Sequence, residues 1–279
     1  MIKREKVAEL LKSSGDLLQL LSMDIEQSRD DREVKKFNEV IGFVEQVVEI
    51  VEGYPRDREI VILDCSCGKS YLSFALNNIL SRLYPMQFFF YGVDTNKTLI
   101  EKCNQIRDRL GYTNMRFMDG RIIDAQPEKT IDIVVALHAC DVATDETIAK
   151  GIKLGAKYIL AVPCCENQVR GRIKRGHPLV DITDFGLLRY RFADILTEAL
   201  RSQFLTGAGY VVKLIEMVPP KVSPKNLMII ARRKKGKKKY NLERYHKMDK
   251  TFNTEFVLKS YFSEQEFGSE VGDYSVNCL

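Results

Sequence analysis

Three acids, Asp64, Asp94 and Asp119, each stand where an apolar run of the kind that forms a buried strand gives way to a short turn. A carboxylate at a strand's carboxyl end can accept hydrogen bonds from a ligand's hydroxyl or amino groups, or offset a cation. The first acid opens the turn Asp64-Cys65-Ser66-Cys67-Gly68-Lys69-Ser70, after which Leu72, Ala75, Leu76, Ile79, Leu80 and Leu83 recur at helical spacing. Strand, small-residue turn and helix make the ligand-binding corner of an open α/β sheet. A second group, Leu137-His138-Ala139-Cys140-Asp141 and Pro163-Cys164-Cys165-Glu166, adds an imidazole, two carboxylates and three thiols beyond two later strands.

Three ligands compete for the first turn. Gly68-Lys69-Ser70 imitates the end of a phosphate loop, but Leu63 stands where the first glycine of that pattern belongs, and Asp64 would repel phosphate. A dinucleotide site wants three glycines, and only Gly68 is present. S-adenosylmethionine has no phosphate and carries a sulfonium and an ammonium, so an acid becomes an asset. Asp64 and Gly68 suit its amino-acid end, Asp94 both ribose hydroxyls, and Asp119 with Gly120 the adenine amino group. Cys65, Ser66, Thr95, Leu137 and His138 complete the expected cofactor contacts.

Methyl transfer to a hydroxyl or protonated amine needs a proton sink. Asp141 is the first choice, with His138 and Glu166 behind it; a helix cap is the competing role for Asp141. A metal site at His138, Cys140, Cys164 and Cys165 is set aside because neither cysteine pair has the usual C-x₂₋₄-C spacing. A Cys164 nucleophile for pyrimidine C5 methylation is set aside as well, since Pro163-Cys164 follows the fifth strand and not the fourth. Cys164 and Cys165 are expected to line the substrate side as small, soft packing residues. Arg170, Arg172, Lys174 and Arg175 put four cations in six residues next to them, which favours an anionic acceptor such as RNA.

The elements that must position these groups read as follows. Residues 1–52 form a helical extension in which Val34, Phe37, Val40, Val44, Val47 and Val51 mark one apolar stripe. Strands are expected over 60–64, 87–94, 115–118, 131–137 and 156–162, with helices after the first, second and fourth. That alternation implies a parallel sheet with right-handed crossovers. After a helix over 187–205, strands over 209–218 and 227–233 follow with no helix between them, predicting an antiparallel strand at the sheet's edge. Nine Lys/Arg against one acid between 232 and 247 make a basic tail on a chain of net charge +5, and 248–279 looks weakly structured. The boundaries are therefore 1–52, 53–233 and 234–279.

The acids, the turn and the terminal hairpin together resemble a class I S-adenosylmethionine-dependent methyltransferase over about residues 55–233. That resemblance implies a Rossmann-like, seven-stranded, mostly parallel sheet with an antiparallel last strand. The family's first motif carries three alternating glycines; here serines occupy the first and third places, at Ser66 and Ser70. Asp64-Cys65-x-Cys67-Gly68-Lys69, Leu137-His138-Ala139-Cys140-Asp141, Pro163-Cys164-Cys165 and Pro224-Lys225-Asn226-Leu227 resemble one branch, which includes a eukaryotic tRNA ribose 2′-O-methyltransferase domain and several methyltransferase-like proteins of unassigned substrate. The cations of the 170–175 loop and the basic 232–247 tail together make RNA the expected acceptor and partner. A small molecule or protein acceptor, and a silent fold that only binds RNA or serves as a scaffold, stand as alternatives. The seven cysteines are an odd number, and no stretch reads as a secretory signal or a membrane span, so a cytosolic chain is expected.

Overall fold

The computed structural model describes residues 4–21, 31–173, 177–236, 240–263 and 266. Helices α1 (Arg4–Lys12), α2 (Gly15–Leu21) and α3 (Asp31–Glu52) come first. The alternating body follows as β1 (Ile60–Cys65), α4 (Tyr71–Leu83), β2 (Phe88–Asp94), α5 (Lys97–Arg109), β3 (Met115–Asp119), β4 (Ile133–Leu137), α6 (Val142–Lys153) and β5 (Tyr158–Val162). Then come the short α7 (Asn167–Arg172) and α8 (Val180–Thr183), the long α9 (Gly186–Gly207), β6 (Tyr210–Glu216), β7 (Leu227–Arg233) and α10 (Glu243–Phe252).

The strands form one sheet in the order β3-β2-β1-β4-β5-β7-β6. Every pairing from β3 to β5 is parallel, and β7 runs antiparallel to both β5 and β6. The antiparallel strand is thus one place in from the edge, not at it. The proline-rich connection lets β7 return into the gap beside β5, and β6 becomes the rim.

Every residue of β1 is buried, as befits a strand covered on both faces. Ile60 and Ile62 face one core, shared with α1 to α4, and Val61, Leu63 and Cys65 face the other, shared with α6, α9 and α10. On α3 the apolar stripe packs onto the first core, with Phe37, Val40, Ile41, Val44, Val47, Val48 and Val51 all buried. Each such side chain contributes about 1.5–3 kcal/mol. Gly42 permits the approach: a Cβ there would lie 2.8 Å from the Met217 carbonyl oxygen and 2.9 Å from its Cγ.

The expectation of a weakly structured stretch over 248–279 fails for 248–263, and the basic stretch before it also carries a docked helix, α10. Tyr245, Phe256 and Leu258 are fully or almost fully buried, and Tyr245 meets Phe204 of α9 edge-on at 5.1 Å. A few aromatic and aliphatic anchors, spread this widely, are too sparse to show a period, yet enough to dock a segment. Among the described residues no helix is long and apolar enough to cross a membrane.

Candidate active site

The turn after β1 adopts the left-handed backbone at alternate residues: φ is +55° at Ser66, +54° at Gly68 and +55° at Ser70. Serines therefore hold the shape that glycines adopt freely, at a cost of about 1–2 kcal/mol for each non-glycine residue. A Cβ at Gly68 or at Gly120 would meet nothing within 4 Å, so both turns leave room for a ligand against the backbone.

Asp94 ties this turn to the second strand. Its Oδ2 accepts from Gly68 N at 2.9 Å and its Oδ1 from Asn96 N at 2.9 Å. Each oxygen keeps a second lone pair, which suits a vicinal diol. Asp119 lies beside Asp94 in the strand register and is exposed, and Gly120 N donates to the Asp94 carbonyl at 3.0 Å. Thr95 is exposed just beyond.

Asp64 is placed differently from its expected role. It is 2% exposed, and its Oδ2 accepts from Ser73 Oγ at 2.6 Å, which pins the turn to α4. Burial, reinforced by the Asp94 charge, pushes its carboxyl up to about 7. The Cys65 thiol points into the second core, where burial raises it, so only its backbone faces the turn.

Leu137 and Val162 pair across β4 and β5, bringing the two loops with His138–Asp141 and Pro163–Glu166 side by side. His138 has φ +60°, and its Nε2 lies 3.0 Å from Oε1 of Glu39, a buried acid of α3. Burial alone would raise the Glu39 carboxyl. The His138 ring, then Ser223 and Lys35, bring it below its usual range.

Asp141 precedes α6 but makes no side-chain cap bond to it. Its Oδ1 faces the Gln168 amide at 3.4 Å, and its backbone sits at φ +48°, ψ −112°, outside the ordinary wells. Arg201 Nη2 donates to the Asp141 carbonyl at 2.9 Å and helps hold that conformation. Arg201 is itself fully buried between Asp145, at 2.8 Å, and Glu198, at 2.9 Å.

Glu166 is engaged by the motif around Pro224-Lys225-Asn226. Lys225 Nζ donates to Glu166 Oε2 at 2.6 Å and to Asp194 Oδ2 at 2.8 Å. Burial and the Asp194 carboxyl push Glu166 up to about 7, against the pull of Lys225.

Of the expected cations, Arg172 is bonded to the carbonyls of Thr254 and Glu255 and serves to dock the C-terminal segment. Arg170 is exposed, with its guanidinium carbon 5.1 Å from the centroid of the Tyr190 ring. Lys174 and Arg175 lie outside the described residues. Cys140, Cys164 and Cys165 converge: their sulfurs are 3.1 Å (140–164), 3.6 Å (164–165) and 3.7 Å (165–140) apart.

Glu39 joins this site unexpected, Ser223, Asp194 and Tyr190 join it although no sequence pattern points to them, and Lys225 joins it from within the Pro224–Leu227 motif. The one signal for Glu39 is an acid beside Gly42 and Phe43 on a helix whose buried arc exceeds a single stripe. Nothing in the spacing of Lys225 points to Glu166.

A family model described as "Methyltransferase domain" matches residues 35–172. Those residues, just under half of the chain, are similar to a methyltransferase domain. The match begins within α3 and takes in Glu39. The chain resembles the "Glutathione S-transferase C-terminal domain-containing protein" of Homo sapiens and of Bos taurus. It is 25% identical to each over 224 residues, 72% of this chain and 33% of theirs. It thus spans about a third of the length of the curated relatives it matches. Among solved structures, magnesium protoporphyrin IX methyltransferase from Synechocystis with bound SAH aligns at TM-score 0.48 and 16% identity, over 83% of this chain and all of that one. A SAM-dependent methyltransferase from Aquifex aeolicus aligns at 0.43 and 13%, over 73% of this chain and 97% of that one.

Proposed function

We propose that this methyltransferase acts on RNA, at a ribose oxygen or a base nitrogen, and that its motifs belong to the branch resembling the tRNA ribose 2′-O-methyltransferase. The observation that carries the reading is the rim beyond β5. The Arg170 guanidinium lies over the exposed Tyr190 ring at 5.1 Å, with Lys225 Nζ 5.5 Å from the same centroid. Lys225 is held by Glu166 and Asp194, so Arg170 is the cation beside this ring that suits a phosphate, and the ring suits a base that must be stacked.

S-adenosylmethionine supplies a methyl carbon on a sulfonium that loses its charge on transfer. The residues of the chain divide the remaining work. Asp94 would hold the ribose, Asp119 and Gly120 the adenine, and the Ser66–Ser70 turn the amino-acid end. Asp141, whose carboxylate is not spent on capping α6, would take the proton that the acceptor gives up on methylation. His138, steadied by Glu39, borders the same space. Free thiols at Cys140, Cys164 and Cys165 suit the reducing cytosol.

A polypeptide acceptor is the second reading, favoured by the apolar side chains that α8 and α9 leave exposed, Ile182 at 45%, Phe185 at 66% and Leu187 at 67%. Methyl-labelled cofactor, offered to the purified chain with total RNA, protein and small-metabolite fractions, tests both. Label is expected in RNA, and Asp94→Asn should lower it about 10-fold or more through loss of a charged hydrogen bond to the ribose. Label confined to protein or metabolites refutes the RNA reading. Cofactor binding with no label anywhere favours the silent alternative.

A further inference from the structure

We propose that Cys140, Cys164 and Cys165 form a binding site for a thiophilic divalent cation, Zn²⁺, that joins the loops after β4 and β5. The three sulfurs stand within 4.8 Å of one another. Their separations of 3.1, 3.6 and 3.7 Å compare with about 3.8 Å for the edge of a tetrahedron built on zinc–sulfur bonds of about 2.3 Å. Two of the three edges already match; only the Cys140–Cys164 edge must open.

Ligand spacing of the C-x₂₋₄-C kind is needed only where nearness in sequence must supply nearness in space. Here the fold supplies it. Leu137 and Val162 are register partners on adjacent parallel strands, so Cys140, three residues beyond one, and Cys164, two beyond the other, leave the sheet together. The thiols find little else to bond. Among the described residues, Cys140 and Cys164 reach, besides one another and Cys165, only the His138 carbonyl, at 3.9 and 3.7 Å. Cys140 is exposed, so a water can complete a fourth position. Binding exchanges three S–H protons for one Zn²⁺. A disulfide explains the cluster less well, because any one pair leaves the third sulfur unused.

The test uses the full chain, purified reduced, with metal content measured by mass spectrometry after passage over a weak chelator. One zinc per chain is expected. Replacement by Co²⁺ should give a sulfur-to-cobalt charge-transfer band in the near ultraviolet. Cys140→Ser, Cys164→Ser and Cys165→Ser should each weaken zinc binding by more than the roughly 10–100-fold that loss of a supporting partner costs. Cys103→Ser, elsewhere in the fold, should retain the metal. Reduced wild-type chain that holds no zinc and gives no cobalt band overturns the proposal. So does a triple serine variant that binds zinc as tightly, or a Cys140–Cys164 disulfide recovered from cells. None of these readouts depends on which acceptor is methylated.

Discussion

At the scale of single residues, the turn after β1 separates backbone shape from residue type. Three left-handed residues in alternation make the cradle, and two of them are serine. Replacing glycine in this motif alters its energetic cost and not its form. Asp64 shows the same separation for charge. Its carboxyl titrates near 7 because it is buried, whereas an unfolded chain ionises it near 3.9. The folded protein therefore holds the extra proton between about pH 4 and 7. The stability this gives is full below pH 4 and is lost as pH rises through 7, about 4 kcal/mol in all for so buried a group. A cationic ligand beside it reverses the preference, since the carboxylate must ionise to pair with it. Calorimetry with S-adenosylmethionine should show affinity rising several-fold from pH 6 to 7.5, and a flat profile in Asp64→Asn. A flat profile in the wild type would place the cofactor's charge away from Asp64.

At the scale of elements, α3 does more than cover the sheet. Its Gly42 lies against Met217, and one turn earlier its Glu39 reaches His138. Gly42→Ala would press a methyl into the Met217 carbonyl, and overpacking of this kind costs about 1–3 kcal/mol. Urea denaturation should register that loss. The methyl-transfer rate should fall further than the loss of folded protein accounts for, because α3 also carries Glu39. Unchanged stability would mean that α3 can slide on the sheet. This coupling also shows what a sequence can reveal. The β-α alternation, the three strand-end acids and the final pair of strands are local patterns, and they place each element within a few residues. The position of β7 inside β6 was not legible, because a hairpin's pairing does not say which strand meets β5. Glu39 beside His138, Lys225 on Glu166 and the thiol triangle join residues 24 to 99 positions apart, and no periodicity encodes such meetings.

At the scale of the whole molecule, the two basic regions lie at opposite ends of the sheet. Arg170 follows β5 at the carboxyl edge, where the cofactor turns are. Because β7 is antiparallel, Arg232 and Arg233 end beside Tyr158 and Tyr210, where β5 and β6 begin. A cleft of about 590 Å³ opens there, lined by Arg233, Lys234, Lys235 and Arg244. Lys237, Lys238 and Lys239 lie outside the described residues. Five parallel residues separate the ends by roughly 17 Å, a few nucleotides of extended RNA. If RNA is the acceptor, the cleft neutralises phosphates remote from the reacting nucleotide, and it acts on affinity more than on chemistry. Lys234→Glu with Lys235→Glu should then weaken RNA binding. It should also reduce the slope of log K against log salt by about 0.7–0.9 for each phosphate no longer neutralised. The single-turnover rate at saturating RNA should stay unchanged. Arg170→Ala should show the reverse, a slower saturated rate with a smaller change in salt slope, because its guanidinium orients the base. Equal effects of both variants on rate and slope would mean that the two regions do not engage one RNA in separate roles.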